Sequence, residues 1–415
     1  MTLFPNIPRL MILLLLAALA LPVTAQEIIV TPDGPVTTLG AAVRQARSGD
    51  RVVVQKGVYR EPTIVIDKAV EIVGEKGAVL DGQEANQIMT ITGDSVTVRG
   101  LVFRNVGTSF VEDRAAIKVD EGQHCTIEDN RFEDTFFAIY LAKSAHCRVA
   151  GNEIVGAKAS ESKSGNGIHL WYSKDITVEN NTIHGHRDGI YFEFVEDSHV
   201  AGNVSENNLR YGLHFMFSDR CAYRNNTFRD NNAGVAVMYT EHVEMTGNRF
   251  EHNWGSAAYG LLLKDITDSR IADNTFRENT IGVYVEGSNR LTVEQNDFLE
   301  NGWAIKLMAD AQDNRFARNN FIGNSFDVAT NSRHHYSTFV ENYWDNYQGY
   351  DLDRDGYGDK PFRPVRLFSL MVEHNEPSLL LLRSFFIDLL DAAERVIPSL
   401  TPETLVDERP VMRRI

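Results

Sequence analysis
The chain has 415 residues, with 41 Lys plus Arg against 57 Asp plus Glu, a net charge of −16. That balance excludes nucleic acid and anionic lipid as the main partner. Three cysteines are too few for a disulfide-built fold, and the length suits one elongated repeat domain or two ordinary ones.

Residues 1–25 read as a secretory signal: Arg9, the apolar run Leu10 to Leu21, then Pro22-Val23-Thr24-Ala25, with cleavage expected after Ala25. The alternative is an N-terminal membrane anchor, but the run is short for a bilayer. Export from the cytoplasm is expected. Residues 26–105 are expected to hold an N-terminal cap and the first coils. Thr38 to Ala46 reads as a short helix, followed by strands Arg51 to Gln55 and Thr63 to Ile66.

Residues 106–330 carry a repeat. Asn130, Asn152, Asn181, Asn203, Asn226, Asn248, Asn274, Asn296 and Asn319 recur about every 22 to 29 residues, mostly with Phe or Ile two positions later. Each unit has three short runs of alternating polarity, as half-buried strands do. Three apolar columns persist, one of them Ile117, Ile139, Ile168, Ile190, Leu213, Val235, Leu261, Val283 and Ile305. Stacking like on like, about 4.8 Å apart, predicts an all-β, right-handed parallel β-helix of the pectin-lyase-like kind, three strands per coil. The asparagines should form an inward ladder at one corner. Ser205 breaks the aromatic column that Phe228 and Phe250 continue, with no evident reason. The extra residues of two coils fall between the asparagine and the next Gly-led strand (Ala157 to Gly165, and the stretch before Gly260), so both insertions should rise at one corner, where binding is expected.

Within each Gly-led strand the second and fourth residues should face outward. One outer column then reads His169, Tyr191, His214, Ala236, Leu262, Tyr284 and Lys306. Its neighbour reads Trp171, Glu193, Met216, Met238, Lys264, Glu286 and Met308. His214, Met216 and Met238 thus converge within two coils, with His169 two coils away. Thioether and imidazole suit copper(I), while methionines also serve protein contacts or plain packing. A second column reads His124, His146, Asp175, Asp197, Arg220 and His242; His334-His335, and Met371 with His374, are further candidates. Cys125, Cys147 and Cys221 share an inward column and read as small buried hydrophobes, a Cys125–Cys147 bridge being the alternative.

Residues 331–374 form a loop-rich C-terminal cap. Asp351, Asp353, Asp355 and Asp359 occupy positions 1, 3, 5 and 9 of a calcium-loop pattern, but the twelfth residue is Phe362, which excludes a conventional EF-hand. A looser calcium loop or an Asp/Gly turn remains. In residues 375–415, Pro377 to Ile397 reads as a helix. Its apolar face, with Leu379, Leu382, Phe386, Leu389 and Leu390, fits either capping of the rod or docking on a membrane partner. An enzyme reading, a polysaccharide lyase, hydrolase or epimerase, rests on Asp188, Glu193, Glu196, Asp197 and His199, with His184 and His186 before them. Against it, a Met-lined strand is no sugar platform.

With these residues laid out, the chain resembles the NosD family. The resemblance rests on Gly49-Asp50-Arg51-Val52-Val53-Val54, Gly57-Val58-Tyr59, the strand Gly212 to Ser218, the strand Gly234 to Tyr239, Asn342-Tyr343-Trp344-Asp345 and the Asp351 to Asp359 block. It implies a non-enzymatic copper-handling periplasmic protein. It further implies work with an ABC transporter (ATPase and permease), copper received from a lipoprotein chaperone, and service to the copper–sulfur centres of nitrous oxide reductase. Membrane contact would run through the transporter. The resemblance assigns no copper ligand.

Overall fold
A computed structural model describes residues 25–415 except 110, 158–159, 256–257, 333–335, 383 and 397–404. All but Ala25 of the proposed signal (residues 1–25), together with His334-His335, lie outside the described residues.

Short strands of alternating polarity cannot bury an apolar face alone, and here they stack into a right-handed solenoid of about 13 turns. Three parallel sheets of 14, 12 and 13 strands run its length. The register matches the expected columns: Ile139 pairs Ile168, Ile168 pairs Ile190, Ile190 pairs Leu213 and Leu213 pairs Val235. All of these side chains are buried. Sharp corners between sheets use left-handed backbone, which explains Asp129, Asn180, Asn225 and Asp273 just before ladder asparagines, at φ of 53, 54, 56 and 57°.

The asparagine ladder is present. Each rung donates its backbone N–H and its amide to the Oδ1 of the next, as Asn203 does to Asn226 at 2.9 and 3.0 Å. Its second amide hydrogen reaches a carbonyl of the preceding coil, here Val178 O at 2.9 Å. A second ladder at another corner escaped the sequence reading: Asn208, Asn231, Asn253, Asn279, Asn301 and Asn324, headed by His186, whose N–H donates to Asn208 Oδ1.

Ser205 now has a reason. Phe192 and Phe215 enter the core from the facing sheet, where other coils have Leu or Val, and Tyr223 fills it from the third. A small residue opposite compensates their volume. The Ser205 hydroxyl donates to Gly212 O and accepts from Asn208 Nδ2 at 2.7 and 3.0 Å.

At the front, helix α1 (Leu39–Gln45) covers the first coil, with Thr38 as N-cap and the Glu61 carboxylate accepting from Leu39 N and Gly40 N. At the back the single expected helix is broken into pieces. Helix α2 (Leu367–His374) precedes it, Glu376–Leu381 is a 3-10 turn, and α3 spans Phe385–Val396. These pieces lie on the side of the rod: Phe368, Val372 and Ile387 pack on Phe326, joined by Trp303, Leu379, Leu382 and Leu390. The end is closed by the final residues, with Leu405 and Asp407 buried against the last coil.

Candidate functional site
The outer face of the 12-stranded sheet carries the candidate residues. Met216 and Met238 are direct register partners on strands Tyr211–Met216 and Ala233–Met238, and both are half-buried. The sequence placed them side by side, and so they lie. The Tyr191 hydroxyl donates to Met216 Sδ at 3.8 Å. Burial and Glu193 push the Tyr191 hydroxyl up to about 12, so it remains a donor.

The histidines behave differently from exposed ligands. His214 faces outward but is only 5% exposed, packed between the rings of Tyr191 and Tyr211 at 4.9 and 4.8 Å. Arg210 Nη2 lies 2.7 Å from its Nδ1. Arginine only donates, so Nδ1 accepts and the imidazole proton sits on Nε2. Asp188 Oδ2 is also 3.5 Å from Nδ1, but the shorter arginine contact decides the tautomer. His169 stands one strand beyond Tyr191, its ring 4.7 Å from that tyrosine. Its Nδ1 faces Asn166 Nδ2 at 3.1 Å, because Asn166 Oδ1 accepts from Arg187 Nη2 at 3.2 Å. Burial, then the nearby Arg187 charge, holds His169 down at about 3.

Asp188, Arg187, Arg210 and Asn166 form a charged cluster of which the sequence reading named only Asp188. Asp188 is wholly buried, 3.2 Å from Arg210 Nε and 3.7 Å from Arg187 Nε. The missed signal was the column just before the Gly-led strand. Asp188 pairs Tyr211 in register, and Arg187 and Arg210 precede them.

The expected catalytic patch is dispersed. Asp188 and Glu193 are on this sheet, and Asp197 is tied to Arg220 and Lys174 at the next corner, beside the exposed Glu196. His199 lies on the 14-stranded sheet, His184 on the 13-stranded sheet, and His186 is buried at a corner. Stacking neighbours are right elsewhere: the His124 and His146 rings stack at 4.9 Å. The three cysteines are buried and free.

Beside the methionines runs an aromatic stack, Tyr172, Phe194, Phe217 and Tyr239, with ring centroids 4.5, 5.1 and 5.0 Å apart. All four occupy left-handed backbone, at φ of 48, 54, 48 and 54°, where other coils place Glu121, Lys143, Asp265 and Gly287. Trp171 packs edge-on against Tyr172 at 4.8 Å. The stack is largely exposed, and bulky side chains cost more than Asn, Asp or Gly in this conformation.

The same outer face is covered toward the back by α2 and α3, with Lys306 Nζ bonded to Glu373 at 2.9 Å. Of the residues expected to dock a partner, Leu379, Leu382 and Leu390 instead pack on the rod, because their stripe faces Trp303 and Phe326. Phe386 and Leu389 remain exposed, together with Leu380, Leu381 and Phe385. Among the described residues, no helix is long and apolar enough to cross a membrane.

In the acidic loop, carboxylate oxygens of Asp351, Asp353 and Asp355 lie within 4.8 Å of one another. Asp359 stands apart and accepts from Leu352 N at 2.7 Å. The carboxylates of the other three mostly accept backbone N–H groups of the turn, and Arg409 lies 3.5 Å from Asp355. These bonds shape an Asp/Gly turn pinned by the tail, and they leave the three carboxylates close enough together to share a cation.

Comparison with known proteins follows this geometry. Residues 153–349 match the family model described as periplasmic copper-binding protein (NosD), and residues 76–181 match a right-handed beta helix region. The chain is 36% identical to the probable ABC transporter binding protein NosD of Pseudomonas aeruginosa, over 84% of this chain and 85% of that one. It is 31% identical to its namesake from Stutzerimonas stutzeri, over 84% of each. Among solved structures, a family 28 exopolygalacturonase of Yersinia enterocolitica matches with a TM-score of 0.62 at 11% identity, covering 76% of this chain and 78% of that one. The A-module of the mannuronan C-5 epimerase AlgE6 of Azotobacter vinelandii matches at 0.52 and 15%, covering 73% and 86%. These two likenesses show the solenoid fold alone. The extent and identity of the two sequence relatives decide the family: the chain belongs to NosD, the periplasmic copper-binding proteins.

Proposed function
We propose that the protein carries copper(I) as cargo on the outer face of its 12-stranded sheet, at the Met216–Met238 pair. The observation that carries this reading is the register of those residues: two thioethers adjacent, outward and half-buried on a polar rod. Soft sulfur donors suit copper(I), and an incompletely saturated site allows ligand exchange with a donor and an acceptor. His214 and His169 are held with Nδ1 as acceptor. A metal-binding imidazole normally donates its other N–H to a neighbour. The hydrogen-bond pattern therefore favours the methionines as ligands, with the histidines behind them.

The exposed stack of Tyr172, Phe194, Phe217 and Tyr239 supports a docking role for the protein that delivers the ion, a lipoprotein chaperone in this reading. Aromatic residues dominate interface energetics. Phe385, Phe386 and Leu389 on α3 form the exposed apolar surface for an ABC transporter permease, whose ATPase would drive the cycle. The destination is nitrous oxide reductase, whose copper–sulfur centres require assembly. The steps are binding and transfer without bond chemistry.

The test is a competitive copper(I) titration of the mature protein against the double variant Met216→Ala, Met238→Ala. The expected loss of affinity is at least about tenfold, the equivalent of about 1.4 kcal/mol. Equal affinity removes this site.

A further inference from the structure
The second insertion, between Asn248 and Gly260, carries Trp254, the one exposed member of the four tryptophans, at 64%. Together with His252, Glu278 and Glu300 it lines a cavity of about 350 Å³. The cavity sits at the corner between the 13-stranded and 12-stranded sheets. His252, Glu278 and Glu300 each precede a rung of the second ladder, Asn253, Asn279 and Asn301, so the ladder spaces them one coil apart. The insertion is tied to the next coil: the Gly255 N–H donates to Thr280 Oγ1 at 3.0 Å, and that hydroxyl donates to Gly255 O at 3.1 Å. The rod itself therefore sets the walls of the cavity.

The residues at this corner are costly ones. His252, Glu278 and Glu300 occupy left-handed backbone at φ of 54, 52 and 57°, where other coils place Asn207, Asp230 and Gly323. Coils lie about 4.8 Å apart, so carboxylates on successive coils repel each other. Elsewhere an arginine stands between stacked acids, as Arg148 does between Glu128 and Glu179. Here Arg249 is taken by Glu251, and Arg277 lies outside the cavity wall. The Glu278 carboxylate meets His252, whose Nδ1 lies 2.8 Å from Oε2. Among the described residues, no side chain pairs with Glu300. A carboxylate only accepts, so His252 turns a protonated Nδ1 toward it, and the neutral ring keeps Nε2 as an acceptor. Two carboxylates, an imidazole lone pair and an indole face make a cavity of acceptors with no base to answer them.

The donor atoms of His252, Glu278 and Glu300 do not gather within 4.8 Å of one another, as those of the acidic loop do. A bare metal ion, with ligands about 2.0–2.2 Å away, is too small to join them. An organic ammonium ion is larger, spreads its charge over its alkyl groups, and finds in tryptophan the best cation–π partner. We propose that Trp254, Glu278, Glu300 and His252 form a binding site for an alkylammonium group, held against the indole face and neutralised by the two carboxylates. The group belongs to a free quaternary ammonium compound or to a lysine side chain, and a cavity of this size takes one of either. The site goes beyond the copper reading and does not depend on it. It uses no methionine, and Met216 and Met238 end their strands at the far edge of the 12-stranded sheet.

The experiment uses the full mature protein with 15N-labelled tryptophan at pH 7.5 and constant ionic strength. The probes are choline, its uncharged carbon isostere (a tert-butyl group in place of the trimethylammonium), and Nα-acetyl-lysinamide. The Trp254 indole signal, assigned by its loss in Trp254→Phe, should shift saturably with choline or the lysine amide and not with the isostere. The tighter of the two names the source: choline a free quaternary ammonium compound, the lysine amide a side chain of a partner protein. Glu278→Gln with Glu300→Gln should weaken the response at least about tenfold, while unmoved signals of Trp171, Trp303 and Trp344 report an intact fold. The variant Met216→Ala, Met238→Ala should keep it, so loss of copper binding and loss of ammonium binding report separately. An equal response to the isostere, no saturable shift with either ammonium probe, or an undiminished response in the double glutamine variant would each overturn the proposal. The comparison of choline with its isostere uses the unaltered protein, so poor folding of a variant leaves the test intact.

Discussion

Asp407 ends the ladder at Asn342. Its Oδ2 accepts the Asn342 N–H at 2.9 Å and the Asn342 amide at 3.0 Å, the two bonds every earlier rung gives to the next asparagine. Trp344 Nε1 adds a third at 3.1 Å. A carboxylate accepts without donating, so an aspartate satisfies the last rung and needs no further partner at the ladder. The tail thereby becomes the lid of an otherwise open coil.

Asp407→Ala should strip acceptors from three buried donors. Each unpaired donor costs about 1–3 kcal/mol, so the loss should reach several kcal/mol. Asp407→Asn should retain most of the stability, since its Oδ1 can do what ladder asparagines do. Urea melts read by aromatic fluorescence compare the two. Equal destabilisation by both would mean that the negative charge, rather than acceptance, matters.

His186 heads the second ladder at a position its followers fill with asparagine. Burial pushes it down to about 4, against 6.5 when unfolded. The folded state therefore binds fewer protons, and stability present above pH 6.5 is lost as pH falls toward 4. At about 1.4 kcal/mol per unit, His186→Asn should gain roughly 2 kcal/mol on wild type at pH 5 compared with pH 7.5. Melting curves at the two pH values check it; parallel curves would contradict a buried neutral histidine.

Asp327 has the opposite sign. Desolvation raises it to about 6 from 3.8. The folded state binds its proton more tightly, so stability declines as pH rises from about 4 to 6 and is flat above. Asp327→Asn should stabilise the protein at pH 7.5 and make little difference at pH 4. A variant less stable at both values would show that the carboxylate is held by its partners, Asn346 Nδ2 at 2.9 Å among them.

Ser205→Phe restores the aromatic column but meets Phe192, Phe215 and Gly189, which Ser205 Oγ already approaches so closely that no side-chain carbon would fit between them. Overpacking of about 1–3 kcal/mol or more is expected. Adding Phe215→Val should recover part of it, a coupling readable in a double-mutant cycle. Additive effects would remove volume compensation as the reason for Ser205.

Phe217→Asn exchanges a strained aromatic for a residue suited to left-handed backbone. It forfeits two stacking contacts of about 0.5–1.5 kcal/mol each and relieves backbone cost of about 1–2 kcal/mol. Thermal stability should therefore change little, while transfer of copper from a donor protein falls. A large drop in stability with unchanged transfer would make the stack purely structural.

Much of the rod was legible before any coordinates. In-register parallel stacking turns sequence period into contact, so Asn226 meets Asn248 and Met216 meets Met238 because each pair is one coil apart. The same reasoning located the insertions and the buried cysteines. It failed where only columns after the glycine were read: Arg187 and Arg210, the partners of Asp188, sit before it. It failed again for the enzyme patch, since residues close in sequence turn onto three different sheets within one coil.

The amino-acid sequence by itself determined the solenoid, its core columns, the first ladder and the outward methionine pair, because those contacts repeat at a fixed spacing. Tertiary structure alone decided what has no period. The tail reaches Asn342 from 65 residues away, and Glu373 reaches Lys306 across 67. Closing such loops depends on complementary surfaces that no local pattern announces. The tautomers of His169 and His214 belong to the same class, since a proton's position follows from which neighbour holds the other nitrogen.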